Sequence, residues 1–456
     1  MDRAPSTSRS ASAGATRDAG GKVAGFRPLA ALVLVSFQKV LLAVRRLSKF
    51  LGAAAIVSAC APGPGAAGAQ RGAAGATGDG TAGASGTNGG AGGTMAMPAN
   101  AGASDATAGN AATSGGASGS ATGGSGGATA AGGDGHAAPP FILGADVSWL
   151  LEDEAAGATY FDRGKKLELL TLLKARGFNY IRIRTFVDPA AADGYASGKP
   201  EAWCDLEHTI ELARRVRALG MGFLLDFHYS DNFADPGKQM KPSAWQALPF
   251  DALVKAVHDY TQQTLQALVA ANSTPDMVQI GNEITAGMLF PDGTSSDENW
   301  PKLGQLLKAG ASATQEVDPT IRIMLHIEKG GDNATTRWWV DHALAEKIPF
   351  QILGQSCYTM YQGPPDSWQS NFSDLVTRYP SLSFVIAEYS QEKRAANDIM
   401  HALPDRRGLG TFIWEPTRWM EAVFDRDGQR YDGNALLDTY SKLATDYGIA
   451  VTEMFP

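Results

Sequence analysis

Eight short apolar runs recur along the second part of the chain, each followed by a stretch whose apolar residues return at helical spacing. The runs are FILGADVSW (141–149), FNYIRIRTF (178–186), MGFLLDFHY (221–229) and MVQIGNE (277–283), then IRIMLHIE (321–328), FQILGQSCY (350–358), LSFVIAEY (382–389) and GTFIWEP (410–416). They read as continuous rather than alternating in hydrophobicity, as strands covered on both faces do. Between the first two, KKLELLTLLKARG places Leu167, Leu169, Leu170, Leu172 and Leu173 on one helical face and stops at Gly177. DLEHTIELARRVRALG opens on Asp205 as an N-cap and closes at Gly220. Strands alternating with helices over residues 141–456 predict a single (β/α)8 TIM barrel. A doubly wound open sheet is the alternative, but no glycine-rich phosphate loop follows the first strand.

In such a barrel, chemistry gathers where the strands end at their carboxyl side. Two apolar runs each finish there in a glutamate: DMVQIGNEIT at Asn282 and Glu283, and LSFVIAEYS at Glu388. Asp146, Arg184, His228, His326, Tyr358 and Trp414, with Glu415 beside it, end the other strands, so one mouth collects acids, a base and aromatics above apolar strands. Cleaving a glycosidic bond with retention needs an acid to protonate the leaving oxygen and a carboxylate to attack the anomeric carbon, about 5–5.5 Å apart. Strands four and seven face each other across a barrel mouth, within reach of such a pair. With Glu388 ionised, its field raises the pKa of Glu283 and keeps a proton there; once Glu388 is esterified the field vanishes and Glu283 turns base. A lone strand-end glutamate is more often a solvated rim residue, and a lone Trp or His more often packing. The weight lies in the two glutamates together, with Asn282 beside the first.

Composition divides the chain. Residues 61–140 contain no Leu, Ile, Val, Phe, Trp or Tyr and are mostly Gly, Ala, Ser and Thr, which predicts a flexible, disordered linker. Residues 1–60 end in a leader: Arg45, Arg46 and Lys49 precede a short apolar run that closes on VSAC. That tail resembles a bacterial lipobox, which implies cleavage before Cys60, lipidation of its thiol and anchoring to the cell envelope. The length ahead of Val40 is unusual for such a leader and points to a later translation start. The formal net charge of −8 argues against a nucleic-acid partner and suits a neutral substrate. Cys204 and Cys357 make no disulfide framework, and no Cys/His cluster has zinc spacing, so no transition-metal site is expected. No cofactor is expected either, and the protein is expected to be a monomer.

The stretches GADVSWLLEDE, DFHYSDNFADPGKQMKPSAW, DMVQIGNEITAGML and IMLHIEKGGDN resemble the arabinogalactan endo-β-1,4-galactanases of glycoside hydrolase family 53, in order, from about Gly144 to Trp414. The resemblance implies a retaining (β/α)8 enzyme acting on β-1,4-galactan side chains of pectin. It implies Glu283 as acid/base, Asn282 on the sugar 2-hydroxyl, Glu388 as nucleophile and Trp414 as an aromatic floor. Arg184, His228 and Tyr358 then stand around the carboxylates, with Asp146 and His326 as further binding positions. Departures follow strand six, where an aromatic-rich YYP-type segment reads CYTMYQGPPDSW, and strand seven, where ETAYP reads AEYSQEKR. They leave the pair intact and bear on chain-length preference and substrate. The alternatives are a barrel glycosidase for another β-linked polysaccharide and a surface protein that binds glycans without chemistry.

Overall fold

The computed structural model describes residues 140–451. The expected leader with Cys60 and almost all of the expected linker lie outside the described residues. Eight parallel strands close into a barrel: β1 (Ile142–Asp146), β2 (Tyr180–Thr185), β3 (Gly222–Phe227), β4 (Met277–Ile280), β5 (Arg322–Ile327), β6 (Ile352–Cys357), β7 (Ser383–Tyr389) and β8 (Gly408–Trp414). Each pairs with its sequence neighbour, and β8 returns to β1 with Ile142 opposite Gly410 and Asp146 opposite Trp414. All of the expected strands are present. Several are shorter at the mouth end, and β4 stops at Ile280, before the glycine that precedes Asn282 and Glu283.

The main helices are α1 (Leu169–Ala175), α2 (Leu206–Ala218), α3 (Phe250–Ala270), α4 (Trp300–Val317), α5 (Asn333–Ala345), α6 (Pro365–Arg378), α7 (Lys393–His401) and α8 (Leu437–Asp446). Asp205 caps α2 as expected, its carboxylate accepting the His208 N–H at 2.9 Å. Beyond α1, Gly177 takes φ +99°, and a Cβ there would run into Ala444 of α8, so the turn needs glycine twice over.

Strand residues pointing outward, such as Ile181, Ile183, Phe223, Leu225, Ile323 and Leu325, are buried under the helices. Inward residues Ile142, Leu224, Met277, Met324, Ile352 and Phe412 fill the lower lumen as a separate apolar cluster. Above that layer the expectation of apolar strands fails. Arg182, Asp226, Gln279, His326 and Ser356 are buried there, and they satisfy one another by hydrogen bonds. The reason is the strand period of two: Arg182 lies between Tyr180 and Arg184 on the same inward parity, while Ile181 and Ile183 supply the apolar outer face.

Outside the barrel, strands Phe424–Asp427 and Arg430–Gly433 join Thr159–Asp162 and Lys165–Leu167 in a small sheet. It ties the segment after β8 to the segment after β1. Arg176 clamps it to α8, its Nε 2.6 Å from Asp162 and its Nη1 2.5 Å from Asp438.

Candidate active site

A cleft of about 710 Å³ opens where the barrel strands end at their carboxyl side. Asp146, Asn282, Glu283 and Glu388 line it, together with Trp149, Phe233, Tyr361, Trp414 and Trp419. Polar groups and aromatic rings thus share one cleft, an arrangement suited to a ring with hydroxyl edges and apolar faces.

Glu283 reaches the cleft through backbone distortion. Past Ile280, Gly281 takes φ +81° and Glu283 itself φ +50°, ψ +51°, the left-handed region that disfavours a side chain by roughly 1–2 kcal/mol. Its Oε1 lies 2.7 Å from the Ser356 hydroxyl of β6. Glu388 reaches the same cleft by a different device. On β7, Val385 and Ala387 point into the lumen, so regular alternation would turn Glu388 outward. A bulge prevents this: Gln355 pairs with Ile386 but Ser356 pairs with Glu388, and the matching register shift occurs against β8.

Sequence reasoning missed the residue that organises the floor. Arg182 places Nη1 2.9 Å from both Asp146 and Glu388, Nη2 2.8 Å from Asp226 and from the Asn282 side-chain oxygen Oδ1, and Nε 3.1 Å from Gln279. The signal was present in YIRIRT, where Arg182 shares the parity of Arg184. Asp226 of β3 also accepts from His228 Nε2 at 3.0 Å, while His228 Nδ1 accepts the Ala234 N–H at 2.9 Å. These contacts leave no donor of the guanidinium for solvent, and they orient three carboxylates at once.

Of the expected site residues, Asp146, Arg184, His228, Asn282, Tyr358 and Trp414 line the cleft with the two glutamates. Tyr358 donates its hydroxyl to Glu388 Oε2 at 3.2 Å. Trp414 packs against Trp149 at 5.4 Å and edge-on against Trp419 at 4.8 Å between ring centres. His326 does not line the cleft, which corrects its place among substrate-binding positions. It is fully buried beneath the floor, its Nδ1 2.9 Å from Asn282 Oδ1 and its Nε2 3.0 Å from Ser356 Oγ. The arginine that pairs with Glu388 is Arg182 rather than Arg184. Arg184 pairs with Glu415 at 2.8 Å and is stacked between Trp149 and Phe233, each 4.7 Å from the guanidinium carbon. Glu415, buried behind the cleft lining, also receives the Trp149 N–H at 3.3 Å.

Burial pushes the Glu283 carboxyl well above the usual carboxylate range, and the charge of Glu388 adds to the rise. Burial raises Glu388 as well, but Arg182 opposes it, so Glu283 keeps its proton to the higher pH. Burial pushes Glu415 to about 8 against the pull of Arg184. His326 is held well below its ordinary value by burial and by the nearby Arg182 cation. The cleft therefore presents one carboxyl poised to give a proton and another held by a cation and a phenol.

Residues 142–401 match glycosyl hydrolase family 53. An uncharacterized protein of Niallia circulans is 44% identical over 246 residues, covering 52% of this chain and 64% of that relative, less than two thirds of its length. An endo-β-1,4-galactanase of Bacillus subtilis is 30% identical over 310 residues, covering 60% of this chain and 70% of the relative. The solved GH53 catalytic domain of Ignisphaera aggregans superposes with a TM-score of 0.59 at 30% identity, covering 66% of this chain and 95% of that one.

Proposed function

The chain belongs to glycosyl hydrolase family 53, and we propose that it is an endo-acting, retaining glycosidase that hydrolyses β-1,4-galactosidic bonds in galactan and in type I arabinogalactan side chains of pectin. Glu283 gives its proton to the leaving oxygen while Glu388 attacks the anomeric carbon from the opposite face. Glu283 then takes a proton from the water that releases the sugar. Asn282, Tyr358 and His228 border the sugar at the cleaved bond, and Trp414 lies under its apolar face. The observation that carries this reading is the pair itself: two carboxyls in one cleft, one with its proton held by burial and by its neighbour's charge, the other against Arg182 and Tyr358. Glu415, the other carboxyl at a strand end near the cleft, is engaged in its pairing with Arg184.

The test is product analysis on linear β-1,4-galactan. Wild type is expected to release oligosaccharides, and Glu388→Ala to release essentially none. Turnover of mannan in preference to galactan would move the substrate, and binding without turnover by wild type would leave only a glycan-binding protein.

We propose further that the chain is exported and held at the cell envelope through a lipid on Cys60, a reading supported by the basic residues, apolar run and VSAC tail that precede the low-complexity stretch. Cys60→Ala should release the enzyme from membranes; continued partitioning of that variant would end the anchor proposal.

A further inference from the structure

The hydrogen bonds beneath the cleft can be oriented by counting donors. Asn282 Oδ1 lies 2.8 Å from Arg182 Nη2, and arginine has no acceptor, so this atom is the amide oxygen; Asn282 Nδ2 correspondingly donates to the Ala234 carbonyl at 2.9 Å. His326 Nδ1, 2.9 Å from the same oxygen, must therefore carry a hydrogen. His326 is fully buried beside the Arg182 cation, which keeps the ring neutral, and a neutral ring has a single N–H. Its Nε2 is then a bare acceptor facing Ser356 Oγ at 3.0 Å. Serine has one hydrogen to give. If it goes to His326, the Ser356 oxygen can meet Glu283 Oε1 at 2.7 Å only by accepting from a protonated carboxyl.

We propose that His326, acting through Ser356, holds the proton on Glu283: the chain Glu283 O–H to Ser356 O–H to His326 Nε2, with His326 Nδ1–H to Asn282, is complete only when Glu283 is a carboxylic acid. When the proton leaves for the departing sugar oxygen, Ser356 turns its hydrogen to the new carboxylate and His326 Nε2 loses its donor. A buried acceptor is then unsatisfied until Glu283 takes a proton from the incoming water and Ser356 turns back. The same strain that favours the acid before the first step favours the base in the second. His326 and Ser356 are thus positioning residues, out of contact with the cleaved bond. The other charges facing Glu283 are Glu388 and Glu328, which raise it, and Arg182, which lowers it; His326 also faces Asp226 and His228. None of these changes with the Ser356 rotor.

This inference rests on Glu283 being the acid, and the sign of one shift tests it. In His326→Leu the protonated state loses a hydrogen bond while the ionised state loses nothing, so the basic limb of kcat/KM on galactan should fall by about one pH unit. A charged His326 donating through Ser356 to an ionised Glu283 predicts the opposite, since removing that cation would raise the limb. A rise or no shift overturns the proposal. In a Ser356→Ala background the same His326 change should no longer move the limb; an undiminished shift would show that the two do not act as one chain. Nitrogen-15 spectra of histidine-labelled wild type read the arrangement without mutation: a neutral ring protonated at Nδ1 through the active pH range is expected, and an imidazolium or an Nε2–H ring refutes it. Glu283→Gln separates the two levels. If that variant keeps full galactan activity, the acid assignment itself falls; if it is inactive and His326→Leu leaves the limb in place, only the relay falls.

Discussion

Glu388 lies against a guanidinium at 2.9 Å and a phenol at 3.2 Å, whereas Glu283 rests on a neutral hydroxyl at 2.7 Å. Glu388 is buried and Glu283 half-buried in the same cleft, and desolvation favours the neutral form of each. What separates them is placement relative to Arg182. The cation lies against Glu388 and opposes its rise, while Glu283 meets the negative charge of Glu388 and is raised further. A single buried arginine thus sets the two carboxyls apart in the sense that their proposed roles require.

Glu388→Ala carries the largest expected effect, a fall in galactan turnover on the order of 10⁴-fold, with azide restoring part of it by standing in for the carboxylate. Undiminished hydrolysis would leave Glu388 without its role. Next in size is Arg182→Met, which strands Asp146, Asp226 and Glu388 without their cation. Roughly 3–5 kcal/mol of folding stability should be lost, read as a fall in the urea midpoint; an unchanged midpoint would mean the floor does not depend on that ion cluster. Trp414→Ala should raise KM for galactan about tenfold with kcat less affected, as for an aromatic contact worth about 1 kcal/mol beyond its area. An unchanged KM would take the sugar off that ring.

The raised carboxyl of Glu283 also gives stability a pH dependence. Because the folded Glu283 holds its proton to higher pH than an unfolded glutamate, whose pKa is about 4.3, its contribution to stability is full below that value and is lost as pH rises through the folded one. Urea midpoints should therefore fall across that window in wild type and fall less in Glu283→Gln; parallel slopes would place the burden elsewhere. The smallest effect concerns Glu415→Gln. The amide still accepts from Arg184, so turnover should stay within a few-fold of wild type. A loss as deep as that of Glu388→Gln would transfer the nucleophile to Glu415.

The fold was legible because its signals are local and repeated. The apolar runs at 178–186 and 321–328 read as strands since both of their faces are covered, and Asp205 and Gly177 bound helices by capping chemistry that acts within a turn. The two glutamates stood out as polar ends on apolar runs. Arg182 did not, because a charged residue in mid-strand reads as an interruption until three acids from other strands converge on it. His326 was misplaced for a related reason: a strand-end histidine looks exposed in one dimension, and only the closed barrel puts Asn282 and Ser356 above it.

The chain's own pattern determined that there would be eight strands, that they would run parallel under helices, and which residue types would gather at one end. Such features follow from spacing along a single element. Tertiary structure decided which way the decisive side chains point. The bulge at Ala387 and Glu388 exists only in register with β6 and β8, and the left-handed turn at Glu283 holds only because the surrounding packing over-determines it. A shift of one residue reverses a strand's face, and pairing across strands, which no single run encodes, sets that register.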